Sequence, residues 1–257
     1  MRRTKGFAKN DYEIIRKEIR EIFEESYKSY GYRRITAELN ARGYAVNHKL
    51  VYRLMREENI KCEQRVSRET ETTGHFETYS KTWGKKGKDL LARNFKTDAF
   101  GQVWVTDMSA IMAGDILIYL TVVIDLYNTE VVGYSISDKP KLPTVLEAIR
   151  FAHYQYDSVR PILHSDRGWF YCSDIYINNL KEYGYTQSMA ENGSCYDNAV
   201  AESFFAQIKT ELIYPNEWED EKTLKREIHK YIKYYNTKRI KKSLGYRSPE
   251  QYREGLP

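Results

Sequence analysis

Three runs rich in β-branched and aromatic residues lie close together in the middle of this 257-residue chain. They cover residues 102–111, 116–125 and 129–137, and a turn signal separates each pair: Gly114-Asp115, then Tyr127-Asn128. Consecutive strands joined by short turns usually pair in antiparallel order. The middle of the chain is therefore predicted to form an antiparallel meander, which commits this region to a sheet.

After the meander, helical and strand patterns alternate. The expected elements are a helix over 142–156, a short buried strand at PILH, a helix over 174–183, a strand at YTQSM, a helix over 195–213 and a basic helix over about 220–236. Helices and further strands that follow a meander predict a mixed sheet flanked by helices. The predicted fold class is α/β.

Three acidic residues fall at informative points of this pattern. Asp107 interrupts the apolar run VWVTDMSA, and Asp166 follows the strand PILH at a turn. Glu202 lies on the helix that contains AVAESFFAQIK, with 35 residues between it and Asp166. A buried carboxylate without a partner costs several kcal/mol or takes up a proton, so a cation is expected beside Asp107. Ligands bind at the carboxyl ends of strands in α/β sheets, where Asp166 stands.

The third acid has a readable orientation. The apolar residues of its helix recur every four positions: Val200, Phe204, Ile208 and Leu212. Glu202 is about 200° from Val200 around the helix and points away from this stripe. Lys209, seven residues further on, shares its angular position. The helix therefore offers a carboxylate and an ammonium on one face.

Clustered carboxylates are the ligands that hard divalent cations such as Mg²⁺ prefer. Such a trio can hold two ions about 3.5–4 Å apart and promote phosphodiester displacement. Taken singly, each acid also has an ordinary explanation: an ion pair for Asp107, a turn for Asp166 and a solvated face for Glu202. Four further residues are candidates close to the site: Asp125, His164, Glu191 and Asn198. A structural role is favoured for His164.

The first 62 residues predict a small all-α module. A helix is expected over 11–26, a second over Arg33–Arg42, and a third over about 48–58 with Asn47 as its N-cap. Gly43 breaks the chain between the last two, which matches a helix-turn-helix. The predicted DNA contacts are Arg33, Arg34, Lys49, Tyr52, Arg53 and Arg56. A helical bundle used for protein contact is the alternative.

Charge is distributed unevenly along the chain. The net charge is +8 over residues 1–98, −9 over 99–219 and +6 over 220–257. Basic flanks around an acidic middle suit a protein that binds a polyanion and holds cations between its contacts, although solvated surface charge gives the same counts. In the basic tail the predicted DNA contacts are Arg239, Lys241 and Lys242.

Several classes of protein are excluded. No run of 18 apolar residues exists, so no membrane span is expected, and the basic N-terminus lacks the apolar core of a secretory signal. Cys62, Cys172 and Cys195 form no CxxC pair and are odd in number. A reduced, cytosolic compartment is therefore expected, and a zinc site is not.

Several stretches of the sequence, taken together, resemble the DDE transposases of insertion sequences, within the retroviral integrase superfamily. The resemblance rests on YGYRRITAELNARGYAVNHKLVYRLMRE, WVTDMSA, LTVVIDLYNTEVVGYSIS, LHSDRGWFY, SMAENGSCYDNAVAESFFAQIKTEL and YYNTKRIKKSLGYRSPEQY, in the family's order. The most similar group encodes, in two overlapping frames, a small helix-turn-helix protein and a larger catalytic one, which this chain resembles. Where the family often has His, this chain has Lys241.

The resemblance implies a ribonuclease-H-like integrase core over 98–219, preceded by a helix-turn-helix module (1–62) and a linker (63–97), with 220–257 completing the core. It implies that Asp107, Asp166 and Glu202 form the catalytic and metal-binding triad, with two Mg²⁺ ions (or Mn²⁺) per site. Lys209 would contact the element's end.

The resemblance also names partners. They are the element-end and target DNA, the first-frame protein, and further copies of the chain on paired ends, in the bacterial cytoplasm at the nucleoid. Two rivals keep part of the pattern. A DNA-binding regulator would use the acids structurally, and an RNA-cutting ribonuclease-H-like enzyme would have less use for the N-terminal module.

Overall fold

The computed structural model describes residues 9–62, 87–92, 94–190 and 199–256. The chain divides into two compact units. The first comprises Met1–Ser67 together with Ile240–Tyr246, and the second comprises Arg68–Arg239 and Arg247–Pro257.

The α-helices in the described part of the first unit are α1 (Lys9–Glu25), α2 (Tyr32–Ala41) and α3 (His48–Glu57). The Asn47 side chain accepts a hydrogen bond from the Leu50 N–H at 2.9 Å and starts α3, which confirms the predicted cap. Gly43 follows α2 at φ +91°, a left-handed conformation that other residues rarely adopt. The apolar stripes of the helices form a shared core that includes Ile15, Ile19, Ile22, Ile35, Leu39, Val51 and Leu54.

A distant segment completes this core. Ile240 is 5% exposed among the apolar side chains of the three helices, and its N–H donates to the Tyr30 hydroxyl at 2.7 Å. The family resemblance implied that residues 220–257 complete the catalytic core. In the structure, Ile240–Tyr246 group with α1–α3, and the other described residues of this stretch group with the sheet.

The second unit is built on a five-stranded mixed sheet. Its strands are β1 (Val103–Ala113), β2 (Ile116–Asp125), β3 (Val131–Ser137), β4 (Ile162–Ser165) and β5 (Thr186–Met189), in the order β3-β2-β1-β4-β5. The first three strands pair antiparallel, which confirms the predicted meander. Strands β4 and β5 extend the sheet in parallel from β1, so the α/β class is confirmed as well.

Helices flank the sheet. They are α4 (Leu142–Gln155), α5 (Asp174–Glu182), α6 (Ala199–Ile208), α7 (Glu221–Thr237) and α8 (Pro249–Arg253). Helix α6 continues as a π-helical turn over Lys209–Ile213, and a 3₁₀ turn covers Lys242–Leu244. The start predicted for the α6 helix, residues 195–198, lies outside the described residues. None of the helices that the structure describes is long and apolar enough to cross a membrane.

Part of the predicted linker runs along β5. The Lys88 carbonyl accepts from the Met189 N–H at 3.1 Å, and the Leu90 N–H donates to the Ser188 hydroxyl at 3.0 Å. Residues 63–86 and 93 are outside the described residues. The described end of the segment thus covers the edge strand, where exposed backbone groups would otherwise invite pairing with another chain.

A buried ion pair joins the π-helical turn to the end of α7. Glu211 and Arg239 are 2% and 5% exposed, and the guanidinium donates to both carboxylate oxygens. The Tyr231 hydroxyl also donates to Glu211, at 2.9 Å. Arg239 thus uses two of its guanidinium nitrogens in a buried structural ion pair, and its predicted contact with DNA stays a prediction.

Candidate active site

The first carboxylate sits on the central strand. Asp107 is half-buried in β1, opposite Val122, and its Oδ1 accepts from the Met108 N–H at 2.8 Å. Its pKa is raised to about 7, first because its surroundings exclude water and then because the negative charges of Asp166 and Glu202 oppose its ionisation. Asp166 and Glu202 therefore both act electrostatically on Asp107.

The second carboxylate follows directly after the end of the neighbouring strand, β4. In the parallel β1–β4 ladder Val105 pairs with His164, and Asp107 and Asp166 each lie two residues further on. Side chains two residues apart in a strand share a face. β4 ends at Ser165, and beyond it Asp166 accepts from the Gly168 N–H at 2.8 Å. Desolvation of the carboxyl raises the pKa of Asp166.

The third carboxylate comes from the helix that packs on β1. Glu202 is exposed in the first turn of α6, whereas the buried residues of this helix are Ala201, Phe204, Phe205 and Ile208. The predicted orientation away from the apolar stripe is confirmed. Val200 is only half-buried, because the stripe is centred closer to Ala201 and Phe205 than the four-residue repeat indicated.

Lys209 reaches the same strand from the π-helical turn. Its Nζ donates to the Ser109 hydroxyl at 3.3 Å. Ser109 lies two residues beyond Asp107, so both side chains are on one face of β1. This contact brings a cation to the strand face that carries the first carboxylate. Ser109 was not singled out from the sequence, where a serine in a strand carries no signal.

Within the part of the chain that the structure describes, no three His, Cys, Asp or Glu side chains are arranged as a formed metal site. The donor set nevertheless suits a hard divalent cation, since it offers carboxylate oxygens and no thiolate. Asp107 is half-buried and is repelled by the negative charges of Asp166 and Glu202. It has no ion-pair partner among the described residues. A bound cation would neutralise this concentration of charge.

Asp125 does not belong to this cluster, contrary to the prediction. It is buried and accepts from the Gly101 N–H, the Tyr127 N–H and the Trp104 indole at 2.7, 2.7 and 2.8 Å. It pairs with Trp104, which lies three residues before Asp107 and therefore on the other face of the sheet. Burial raises the pKa of Asp125 to about 6.

His164 has the structural surroundings that the sequence favoured. It is buried in β4, with its Nδ1 2.9 Å from the Ser188 hydroxyl and its ring edge-to-face with Phe95. Its electrostatic interaction with Asp166 lowers the pKa of that carboxyl and so opposes the effect of burial. The remaining two candidates, Glu191 and Asn198, lie outside the described residues.

A buried tyrosine close to the acids was missed. Tyr171 is buried, and its pKa is well above the ordinary value because burial and the charges of Asp166 and Asp107 oppose its ionisation. Its hydroxyl therefore stays protonated beside the two carboxylates. The aromatic run Trp-Phe-Tyr directly after Gly168 was the available signal, but in a sequence such a run predicts only a buried core.

The predicted DNA contacts of the first unit differ in exposure. Lys49, Tyr52, Arg53 and Arg56 are exposed on α3, and Arg33 is exposed on α2. Arg34 is half-buried. It donates to the Ser29 carbonyl at 2.9 Å and lies over the Tyr30 ring, so it also braces the fold.

Family models match both units. An HTH-like domain matches residues 9–68, and integrase core domains match residues 98–195 and 183–249. Among solved structures, the catalytic core domain of HTLV-2 integrase in complex with magnesium is 16% identical with a TM-score of 0.50, covering 62% of this chain and 99% of that one. A simian T-cell lymphotropic virus intasome bound to a PP2A regulatory subunit is 11% identical with a TM-score of 0.54, covering 91% and 74%. These likenesses show the fold.

Relatives that match over most of their own length identify the family of this chain. The chain is 38% identical to InsK of insertion sequence element IS150 from Escherichia coli K12, over 97% of this chain and 86% of the relative. It is 32% identical to the transposase of insertion sequence element IS904 from Lactococcus lactis, over 98% of both chains. The chain therefore belongs to the transposases of insertion sequences and is a DDE-type polynucleotidyl transferase that cleaves and transfers DNA.

Proposed function

We propose that Asp107, Asp166 and Glu202 are the catalytic carboxylates of this transposase and that they hold two divalent cations, Mg²⁺ or in its place Mn²⁺. The observation that carries this proposal is the parallel register of β1 and β4, which brings Asp107 close to Asp166, the residue directly after β4. Burial and the charges of Asp166 and Glu202 raise the pKa of Asp107, which supports the proposal. The HTLV-2 integrase core in complex with magnesium supports it as well.

When bound, the two ions would activate the attacking oxygen and stabilise the leaving 3′-oxygen of the DNA strand. The chain itself supplies positioning. The hydrogen bonds from Met108 and Gly168 fix one oxygen each of Asp107 and Asp166. Phosphoryl transfer requires positioning and charge neutralisation more than covalent chemistry, so no covalent protein–DNA intermediate is expected.

Metal affinity should depend on pH through Asp107. A carboxylate binds a cation only after losing its proton, and a pKa of about 7 leaves roughly a tenth of Asp107 ionised at pH 6 and nine-tenths at pH 8. We expect Mn²⁺ to bind about tenfold more weakly at pH 6 than at pH 8 in isothermal titrations. Equal affinity at both values would remove Asp107 from the ligand set.

The metal-free protein should show the corresponding effect on stability. The pKa of Asp107 is about 3.9 in the unfolded chain and about 7 in the folded one. The stability that protonated Asp107 contributes to the folded state is fully present below the pKa of the unfolded chain. It is therefore lost as pH rises through the folded pKa of about 7. Asp107→Asn should flatten this decline, and thermal unfolding in EDTA between pH 5 and pH 8 measures it.

We further propose that Lys209 contacts the DNA end that is cut and joined. Its ammonium lies at the β1 face beside Asp107, where the scissile phosphate would arrive. Lys209→Ala should weaken the binding of end DNA and slow joining, with thermal stability retained. Lys230→Ala, which removes an exposed lysine of α7, is the matched control. End binding and joining at the wild-type level would remove the role assigned to Lys209.

The partners are also proposals. The exposed cations of α2 and α3 would hold element-end DNA, a multimer would act on paired ends, and the first-frame protein would assist, in the bacterial cytoplasm at the nucleoid. The decisive assay is Mg²⁺-dependent cleavage and joining of the element's own terminal DNA. A chain that binds this DNA without cutting it under any divalent metal would instead act as the regulator that the sequence left open.

A further inference from the structure

Residues Ile240–Tyr246, here named the tail loop, form an ordered turn. The Lys241 carbonyl accepts from the Leu244 N–H at 3.1 Å and from the Tyr246 N–H at 2.9 Å. The Lys242 carbonyl accepts from the Gly245 N–H at 3.1 Å. Gly245 adopts the left-handed conformation, φ +67°, that closes such a turn. These hydrogen bonds hold the backbone of the loop, so an exposed residue at its tip has a defined place on the surface.

The tail loop is anchored in the first unit at both ends. Ile240 is buried in the core of α1–α3 and donates its N–H to the buried Tyr30 hydroxyl, while Tyr246 packs against the same core. A buried isoleucine stabilises a fold through the apolar surface it removes from water. A small helical unit depends strongly on each such contribution.

The tip of the loop carries an exposed cation. Lys242 and Ser243 are exposed between the buried Ile240 and Leu244. Several arginines of this unit are neutralised by glutamates: Arg16 and Arg20 by Glu58, and Arg42 by Glu18 and Glu25. Lys242, by contrast, has no ion-pair partner among the described residues. An exposed, unneutralised lysine on a fixed loop suits contact with a phosphate.

We propose that the tail loop is a fourth element of the DNA-binding unit, which Ile240 stabilises and from which Lys242 contacts a phosphate of double-stranded DNA. The proposal rests on DNA binding by the first unit. It departs from the family models, in which the HTH-like domain ends at residue 68 and the segment falls within an integrase core domain. The DNA-binding unit would then be discontinuous in sequence.

Hydrogen exchange on the full chain tests the structural half. Ile240→Ser should speed amide exchange in α1–α3 while the exchange of β1–β3 stays unchanged, because local stability governs exchange. Leu224→Ser is the matched control, since Leu224 is a buried residue of α7 in the second unit. It should speed exchange in the second unit and leave α1–α3 unchanged. Wild-type protection of α1–α3 in Ile240→Ser would overturn the proposal.

Salt dependence tests the DNA half. With the full chain in EDTA, Lys242→Ala should weaken binding to a short mixed-sequence duplex and reduce the slope of log affinity against log salt by about 0.9, the loss of one phosphate contact. Lys222→Ala, an exposed lysine of the second unit, should leave the slope unchanged. A wild-type slope for Lys242→Ala, or an equal loss for Lys222→Ala, would overturn the assignment. EDTA separates this outcome from any failure of the metal-dependent chemistry.

Discussion

Asp166→Asn is expected to lower Mg²⁺-dependent cleavage and joining of element-end DNA by about 10³-fold or more, a loss comparable to removing a principal electrostatic contact to the transition state. The substitution keeps the size of the side chain, and the amide oxygen can still accept the Gly168 N–H. It removes the negative charge that attracts a cation. The fold and DNA binding should therefore persist while the chemistry stops.

The same loss is expected for Asp107→Asn and Glu202→Gln. A double variant should be little worse than either single one, because residues that act as a unit do not contribute additively. Asp115→Asn, in the exposed turn between β1 and β2, is the matched control and should cleave at the wild-type rate. Cleavage and joining by Asp166→Asn at that rate would exclude Asp166 from the catalytic centre.

Glu211→Gln should cost the second unit about 3–5 kcal/mol of unfolding free energy, the usual result of removing one partner from a buried ion pair. The change leaves the buried Arg239 guanidinium without a counter-charge and weakens the acceptor of the Tyr231 hydroxyl. All four tryptophans of the chain lie within residues 68–239. Urea unfolding followed by tryptophan fluorescence therefore reports on the affected unit.

An exposed pair supplies the comparison. The Lys230 ammonium forms an ion pair with Glu227 at 2.8 Å on the surface of α7. Because water screens such pairs, Glu227→Gln should lower the free energy of unfolding by no more than about 1 kcal/mol. If the two substitutions cost the same, the Glu211–Arg239 pair contributes no more than a surface contact. The structural role assigned to Arg239 would then lose its basis.

Elements with strong local periodicity were predictable from the sequence. The meander, the Asn47 cap and the outward orientation of Glu202 each depend on residues within one or two turns or strands. Asp107 was found because it interrupts an apolar run, and Asp166 because it follows a short apolar strand at a turn. Local context was sufficient to select them, although their alignment became visible only through the β1–β4 register.

Long-range pairing could not be predicted in this way. Asp125 has the same residue type and strand context as Asp107, and only the register against Trp104 places it on the opposite face. Arg239 looked like one more cation in a basic tail until its partner, 28 residues away, was known. The anchoring of Ile240 by Tyr30 spans 210 residues and leaves no local signature.

We propose that acids from a strand, a strand end and a helix together bind divalent cations at one site. Crystals grown with Mn²⁺ and DNA ends, measured at the manganese absorption edge, test this most directly. Two anomalous peaks are expected, each within bonding distance of oxygens from Asp107, Asp166 or Glu202, and both should be lost in Asp107→Asn. Manganese bound away from these carboxylates, or retained unchanged in that variant, would contradict it.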